Sequence, residues 1–207
     1  MISDIHIPDS KIVRDAQELA RAVSCDVLFN HVMRCYWFGE LFAQQEGESV
    51  DSEMMFLSAA LHDLGLTDFA KGPHRFEIEG AGAARTFLES KGVPADKAQK
   101  VWDNIALHTW DMNFFRDATS RFTQLGLAYD VSGVHGRTLD PIDISEVLRL
   151  YPRLDFKREF NQLLNQELND KQPYQHWFHI CSRVEHNRSP LTIVDAPAVL
   201  GWSPFDE

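Results

Sequence analysis

No stretch of this 207-residue chain approaches the ~18 uninterrupted apolar residues that a membrane-spanning helix needs. A helical integral membrane protein is therefore not expected. Cysteine is scarce: Cys25, Cys35 and Cys181 are an odd number with no paired spacing, which argues against a disulfide framework and fits a reducing compartment. Basic residues are also in short supply, with 20 Lys and Arg against 31 Asp and Glu and a formal charge of −11. Affinity for a nucleic-acid polymer comes largely from Lys and Arg neutralising phosphates, so that class of partner is not expected. The opening residues, Met1-Ile2-Ser3-Asp4-Ile5-His6-Ile7-Pro8, have neither a basic region nor an apolar h-region. No signal peptide is expected there, and the cytoplasm is the expected compartment. Period-2 alternation, repeats, low-complexity runs and linkers are lacking too.

What the chain does have is helical periodicity. Its 44% apolar residues in 23.7 kDa suffice for one well-buried core and are few for two. From Ser24 to about Gln45 a broad apolar stripe recurs through Val27, Leu28, Val32, Tyr36, Leu41 and Phe42, closed by Gly47. Asp51 or Ser52 caps a helix from Glu53 to Asp63, with Gly65 as the left-handed residue past its end. Further helices are expected from Phe76 or Glu77 to Lys91, from Pro94 to His108, and from about Ser120 to Val131. Asp143 caps a short helix to Leu150, Phe156 to Asn169 makes another, and Tyr174 to His186 is the last. Pro190 to Glu207 reads as an irregular tail whose Trp202 and Phe205 pack back on the body. The expected fold is all-α, a single domain over 1–207 with its core at about 24–154 and C-terminal helices and tail over 155–207.

The chemistry is concentrated at Leu61-His62-Asp63-Leu64-Gly65, where an apolar helix ends. An imidazole beside a carboxylate is a natural pair of ligands for one divalent ion. Both donor types suit zinc at about 2.0–2.2 Å, and iron or manganese nearly as well. Neighbouring helical residues point roughly 100° apart, so the pair grips an ion from the side and the other ligands arrive from other helices. His31 on the preceding helix and Asp130 on a later one are the candidates, giving a spaced His…His-Asp…Asp pattern that points to metal-dependent hydrolysis. Cys35 lies one turn beyond His31 on the same face and reads as a small buried thiol within reach of the ion.

Other residues surround this set. His108, at the end of Val101–His108, is a fifth ligand, a general acid or base, or a helix-end cation with no chemical duty. Glu77, at the start of its helix, is either a plain N-terminal carboxylate or a group that orients a ligand and shuttles protons. Lys71, His74 and Arg75 lie on the following loop and are the candidate substrate-binding cations, the alternative being a solvated loop with Arg75 paired to Glu77 or Glu79. His135 sits between glycines just past Asp130, at the expected pocket mouth. His176, His179 and His186 have no partner at metal spacing.

Together, His31, Leu61-His62-Asp63-Leu64-Gly65 and Asp130 resemble the HD-domain superfamily of metal-dependent hydrolases, which have an all-helical core. The cyanamide-hydratase-like branch is similar in Phe56 to Gly65, in Arg75-Phe76-Glu77-Ile78-Glu79-Gly80-Ala81, and in Ile105-Ala106-Leu107-His108. Leu125 to Asp130 and Tyr151-Pro152-Arg153-Leu154 also fit, so the resemblance runs from His31 to about Leu154. It implies His31, His62, Asp63 and Asp130 as ligands of one divalent ion, most often zinc in this branch, with His108 near the open position. Other HD branches hold a second metal with further histidines. Glu77 stands about where one of those is expected, which favours one ion.

The expected activity is attack of metal-activated water on a small carbon–nitrogen substrate, with Asp63, His108 and Glu77 as the catalytic set. Cyanamide would give urea. The competing expectation is a phosphohydrolase acting on a nucleotide or small phosphate ester, and a third is a metal-stabilised module that senses a ligand or binds a partner. A small-molecule substrate is the expected partner, and self-association is compatible with the sequence.

Overall fold

The structure, a computed structural model, describes residues 2–133, 139–170 and 205. The expected helix Tyr174–His186, together with His135, Cys181 and Trp202, lies outside them. Eight α-helices and three short 3-10 turns make up the described residues, with no strand among them. The fold is all-α. The helices are α1 (Lys11–Val23), α2 (Asp26–Glu46), α3 (Ser52–Leu61), α4 (Phe76–Ser90), α5 (Ala95–Ala106), α6 (Ala118–Ser132), α7 (Pro141–Leu150) and α8 (Phe156–Asp170). None is long and apolar enough to cross a membrane.

Helix α2 is the centre of the body. Fifteen of its 21 residues are buried, so it is packed on all sides, as its broad apolar stripe requires. Gly47, at φ 68°, stops it in the left-handed conformation that glycine adopts at least cost. Helix α3 is equally enclosed and is opened by the Asp51 side chain, which accepts from the Met54 N–H.

Helices α2 and α6 run antiparallel and cross where neither has a side chain. A Cβ on Gly126 would lie 2.1 Å from the Cys35 carbonyl oxygen, and one on Gly39 would lie 2.8 Å from that of Phe122. One turn along, the same register sets Asp130 against His31 and Arg34. The two backbones thus fix where the buried polar residues of both helices meet.

Several local expectations are corrected. Residues 1–23 carried no helix assignment, yet α1 forms there, capped by Ser10 through the Val13 N–H. Its apolar residues Val13, Ala16 and Ala20 face the core. Gly65 is not left-handed, since only Gly47, Gly92 and Gly133 are among the described glycines. The chain leaves α3 through the 3-10 turn Leu64–Leu66, and the glycine is needed because a Cβ would meet the Phe76 carbonyl oxygen at 1.9 Å. Helix α7 is capped by Asp140, not Asp143, whose carboxylate instead accepts from the Ile2 N–H. Phe205 does pack back, stacked on Phe38 with ring centroids 5.6 Å apart.

Candidate metal centre

Two helices end in the same local device. At a helix C-terminus the last carbonyls have no partner within the helix. His62, the C-cap of α3, places Nδ1 2.7 Å from the Ala59 carbonyl oxygen, three residues back. His108, just past α5, places Nδ1 2.6 Å from the Ile105 oxygen, again three residues back. A carbonyl only accepts, so both imidazoles carry their proton on Nδ1 and present a bare Nε2. His31, inside α2, turns Nδ1 to Asp130 Oδ2 at 2.7 Å, so its Nε2 is bare as well.

All three Nε2 atoms converge on Asp63. The separations are 3.2 Å from His62 and 3.5 Å from His31 to Oδ2, and 3.8 Å from His108 to Oδ1. Asp63 is 2% exposed, and neither of its oxygens accepts a hydrogen bond among the described residues. Buried lone pairs facing a buried carboxylate repel one another unless a cation lies between them. Donors about 2.0–2.2 Å from a tetrahedral ion stand about 3.3–3.6 Å apart, close to the observed separations. His62, Asp63 and His108 form one group able to hold a metal ion, and His31, Cys35 and His62 form another, both buried. The Cys35 Sγ lies 3.6 and 3.7 Å from the two ring nitrogens of His31.

The electrostatics follow from burial and neighbours. Burial would raise the Asp63 carboxyl, but His62, then His31 and His108, outweigh it and hold its pKa at about 2. Burial and the neighbouring His62 push His108 down to about 3, so it is neutral at any ordinary pH. Burial also pushes His62 down, yet the adjacent Asp63 charge reverses this and its pKa ends above 6.5. Burial lowers His31 despite Asp130, and raises the Cys35 thiol well above its usual range.

A pH dependence follows. An ion binds only neutral His62, so affinity is complete above its raised pKa and falls as the pH drops through it. Zinc competition titrations are expected to show about a tenfold loss per pH unit below that point, the slope of a single proton. A flat profile down to pH 5 would remove His62 from the site.

Asp130 is fully buried behind His31, in an ionic cage. Arg34 grips it with two parallel bonds, Nε to Oδ1 at 2.7 Å and Nη2 to Oδ2 at 2.9 Å. Arg153 Nη1 reaches Oδ1 at 3.2 Å and the Asp130 carbonyl at 3.1 Å. Burial would raise this carboxyl, and Arg34 and His31 instead hold it well below the usual carboxylate range. The Phe156 ring covers the assembly, stacked on His31 at 4.7 Å with both guanidiniums 4.7–5.4 Å from its centroid.

The remaining expected residues are less central. Glu77 is fully buried, accepts from Thr109 Oγ1 at 2.6 Å, and is raised above 4.5 mainly by burial. It belongs to neither ligand group, although it sits beside Phe76, whose ring lies 5.5 Å from His108. Lys71 and His74 are exposed, and His74 engages Glu79 Oε1 through its backbone N–H and its ring. Arg75 lies over the Trp110 ring at 5.9 Å, in neither of the pairings expected for it. A cleft of about 220 Å³ opens beside the metal turn, with Leu28, Gly65, Leu66, Lys71 and Glu167 among its walls.

Arg34 escaped the sequence reading altogether. The signal was available, because one arginine within the apolar run Val32 to Phe38 must be buried, and a buried charge requires a partner. No protein-family model matches the chain, and no curated protein matches it.

Proposed function

We propose that the protein is a metal-dependent hydratase or hydrolase of the HD-domain kind, using zinc to hydrate a small uncharged carbon–nitrogen compound such as cyanamide. The observation that carries this reading is the buried Asp63 carboxylate, without a hydrogen-bond partner and ringed by three bare Nε2 atoms. His31, His62 and Asp63 hold the ion. A zinc ion bound there supplies Lewis acidity, lowering the pKa of a water from 15.7 to about 7.

The chain's own residues do the rest. Asp63, with two oxygens at the centre, orients and accepts a proton from an attacking water. Glu77, its carboxyl raised by burial, holds a proton to higher pH than an exposed glutamate and delivers it through the Thr109 hydroxyl that contacts it. Phe76, Phe156 and Phe160 pack against the imidazoles and exclude bulk water. The cleft beside the turn is smaller than the 300–1,000 Å³ of typical ligand pockets, which suits a small substrate.

A phosphate ester would need cations aimed at the ion. Arg34 and Arg153 are committed to Asp130, His74 to Glu79, and Arg75 stacks on Trp110, which weighs against that reading. The test is urea formation from cyanamide by protein of measured zinc content. Urea that disappears on chelation and returns with zinc is the expected result. No urea with one zinc per chain, but hydrolysis of phosphate esters, would favour a phosphohydrolase. Turnover of neither would leave a metal-stabilised sensing module.

A further inference from the structure

Asp130 occupies the position at which the resemblance puts a metal ligand, but its carboxylate has no vacancy. An ionised carboxylate offers about four lone-pair sites. Here Oδ1 accepts from Arg34 Nε and Arg153 Nη1, and Oδ2 accepts from Arg34 Nη2 and His31 Nδ1. Four donors meet four sites. Asp130 is absent from both groups of residues close enough to share an ion, whereas His108 is present in one. The Nε2 of His108 is bare, because its Nδ1 proton goes to the Ile105 carbonyl, and it faces the unpartnered Asp63 oxygens.

We infer that His108 is the fourth protein donor to the ion, and that Asp130 stands outside the coordination sphere as the anion that fixes His31 through Nδ1. Arg34 is then a positioning residue. Its fork holds both Asp130 oxygens, while its Nη1 is anchored 3.1 Å from the Tyr151 and Pro152 carbonyls. This orients the carboxylate, which in turn fixes the tautomer and ring plane of His31. Metal-bound histidines commonly donate their second ring N–H to a carboxylate in this way. A second consequence is electrical. The two guanidiniums neutralise Asp130, leaving Asp63 as the one anionic ligand in a set dominated by imidazole.

The inference rests on the metal-centre reading above, and the experiment separates the two. X-ray absorption fine structure of the zinc-loaded wild-type chain counts imidazoles directly. Three are expected, and two would overturn the role given to His108. Absence of stoichiometric zinc would overturn the metal centre as a whole.

Cobalt-loaded variants supply the second readout. His108→Ala is expected to change the visible ligand-field bands. Asp130→Asn and Arg34→Lys are expected to keep those bands while affinity falls about 10- to 100-fold, since lysine keeps the charge and loses the fork. Altered bands in Asp130→Asn with unaltered bands in His108→Ala would reverse the assignment. Should Asp130→Asn fail to fold, the imidazole count and His108→Ala still decide it.

Discussion

Asp63→Ala protein, purified at pH 8 and passed through a desalting column, is expected to carry no stoichiometric zinc and to make no urea from cyanamide. Asp63 is the point on which all three Nε2 atoms converge, so its removal takes away the only anionic donor and the centre of the cluster. The loss of affinity should exceed the 10- to 100-fold that follows removal of an outer partner. It should not be accompanied by unfolding. Above the raised pKa of His62 the imidazoles are neutral, and deleting a carboxylate that faces their lone pairs relieves repulsion in the metal-free protein. Thermal melts with and without zinc make the distinction. Wild-type protein at 1,000 times its Kd gains about 4 kcal/mol, and the variant gains nothing. A variant that melts like wild type and retains its zinc would sink the site.

The second large effect is on stability. Gly126→Ala should lower the urea midpoint by an amount corresponding to about 3 kcal/mol or more, at the upper end of overpacking penalties. The added Cβ would lie 2.1 Å from the Cys35 oxygen and 2.6 Å from the Gly39 nitrogen. Both are backbone atoms of a buried helix, and no side-chain rotation relieves the clash. Relief requires α6 to move off α2, which pulls Asp130 from His31 and Arg34, so zinc affinity should fall with stability. Gly82→Ala, on an open face of α4, is the control and should be nearly neutral or slightly stabilising. Equal midpoints for Gly126→Ala and wild type would show that the crossing has slack.

How much of this was legible in the sequence varied with the kind of physics involved. The buried helices α2 and α3 were plain, because apolar periodicity and the punctuation at Gly47 and Asp51 are local signals. Helix α1 has comparable periodicity and a Ser10 cap, but its long polar face diluted it. His62 and Asp63 stood out because a paired imidazole and carboxylate at a helix end is a local pattern. The cage around Asp130 was not visible, since Arg34 and Arg153 come from distant parts of the chain and meet only because two glycines let α2 and α6 touch. Gly65 was misread for a related reason. Its sequence context looked like a helix stop, and the true cause, the Phe76 carbonyl, is a contact across the fold.

The paired histidine caps carry one more consequence. Helices α3 and α5 both point their C-terminal ends at the same buried spot, and each contributes roughly half a negative charge from aligned peptide dipoles. His62 and His108 are the side chains through which those two ends are felt, because each takes up a terminal carbonyl. A cation between them gains about 0.3–1 kcal/mol from each helix, more where water is excluded. The same field repels anions, so the geometry that draws in a divalent ion also discriminates at the doorstep, turning away a phosphate ester and admitting a neutral nitrile.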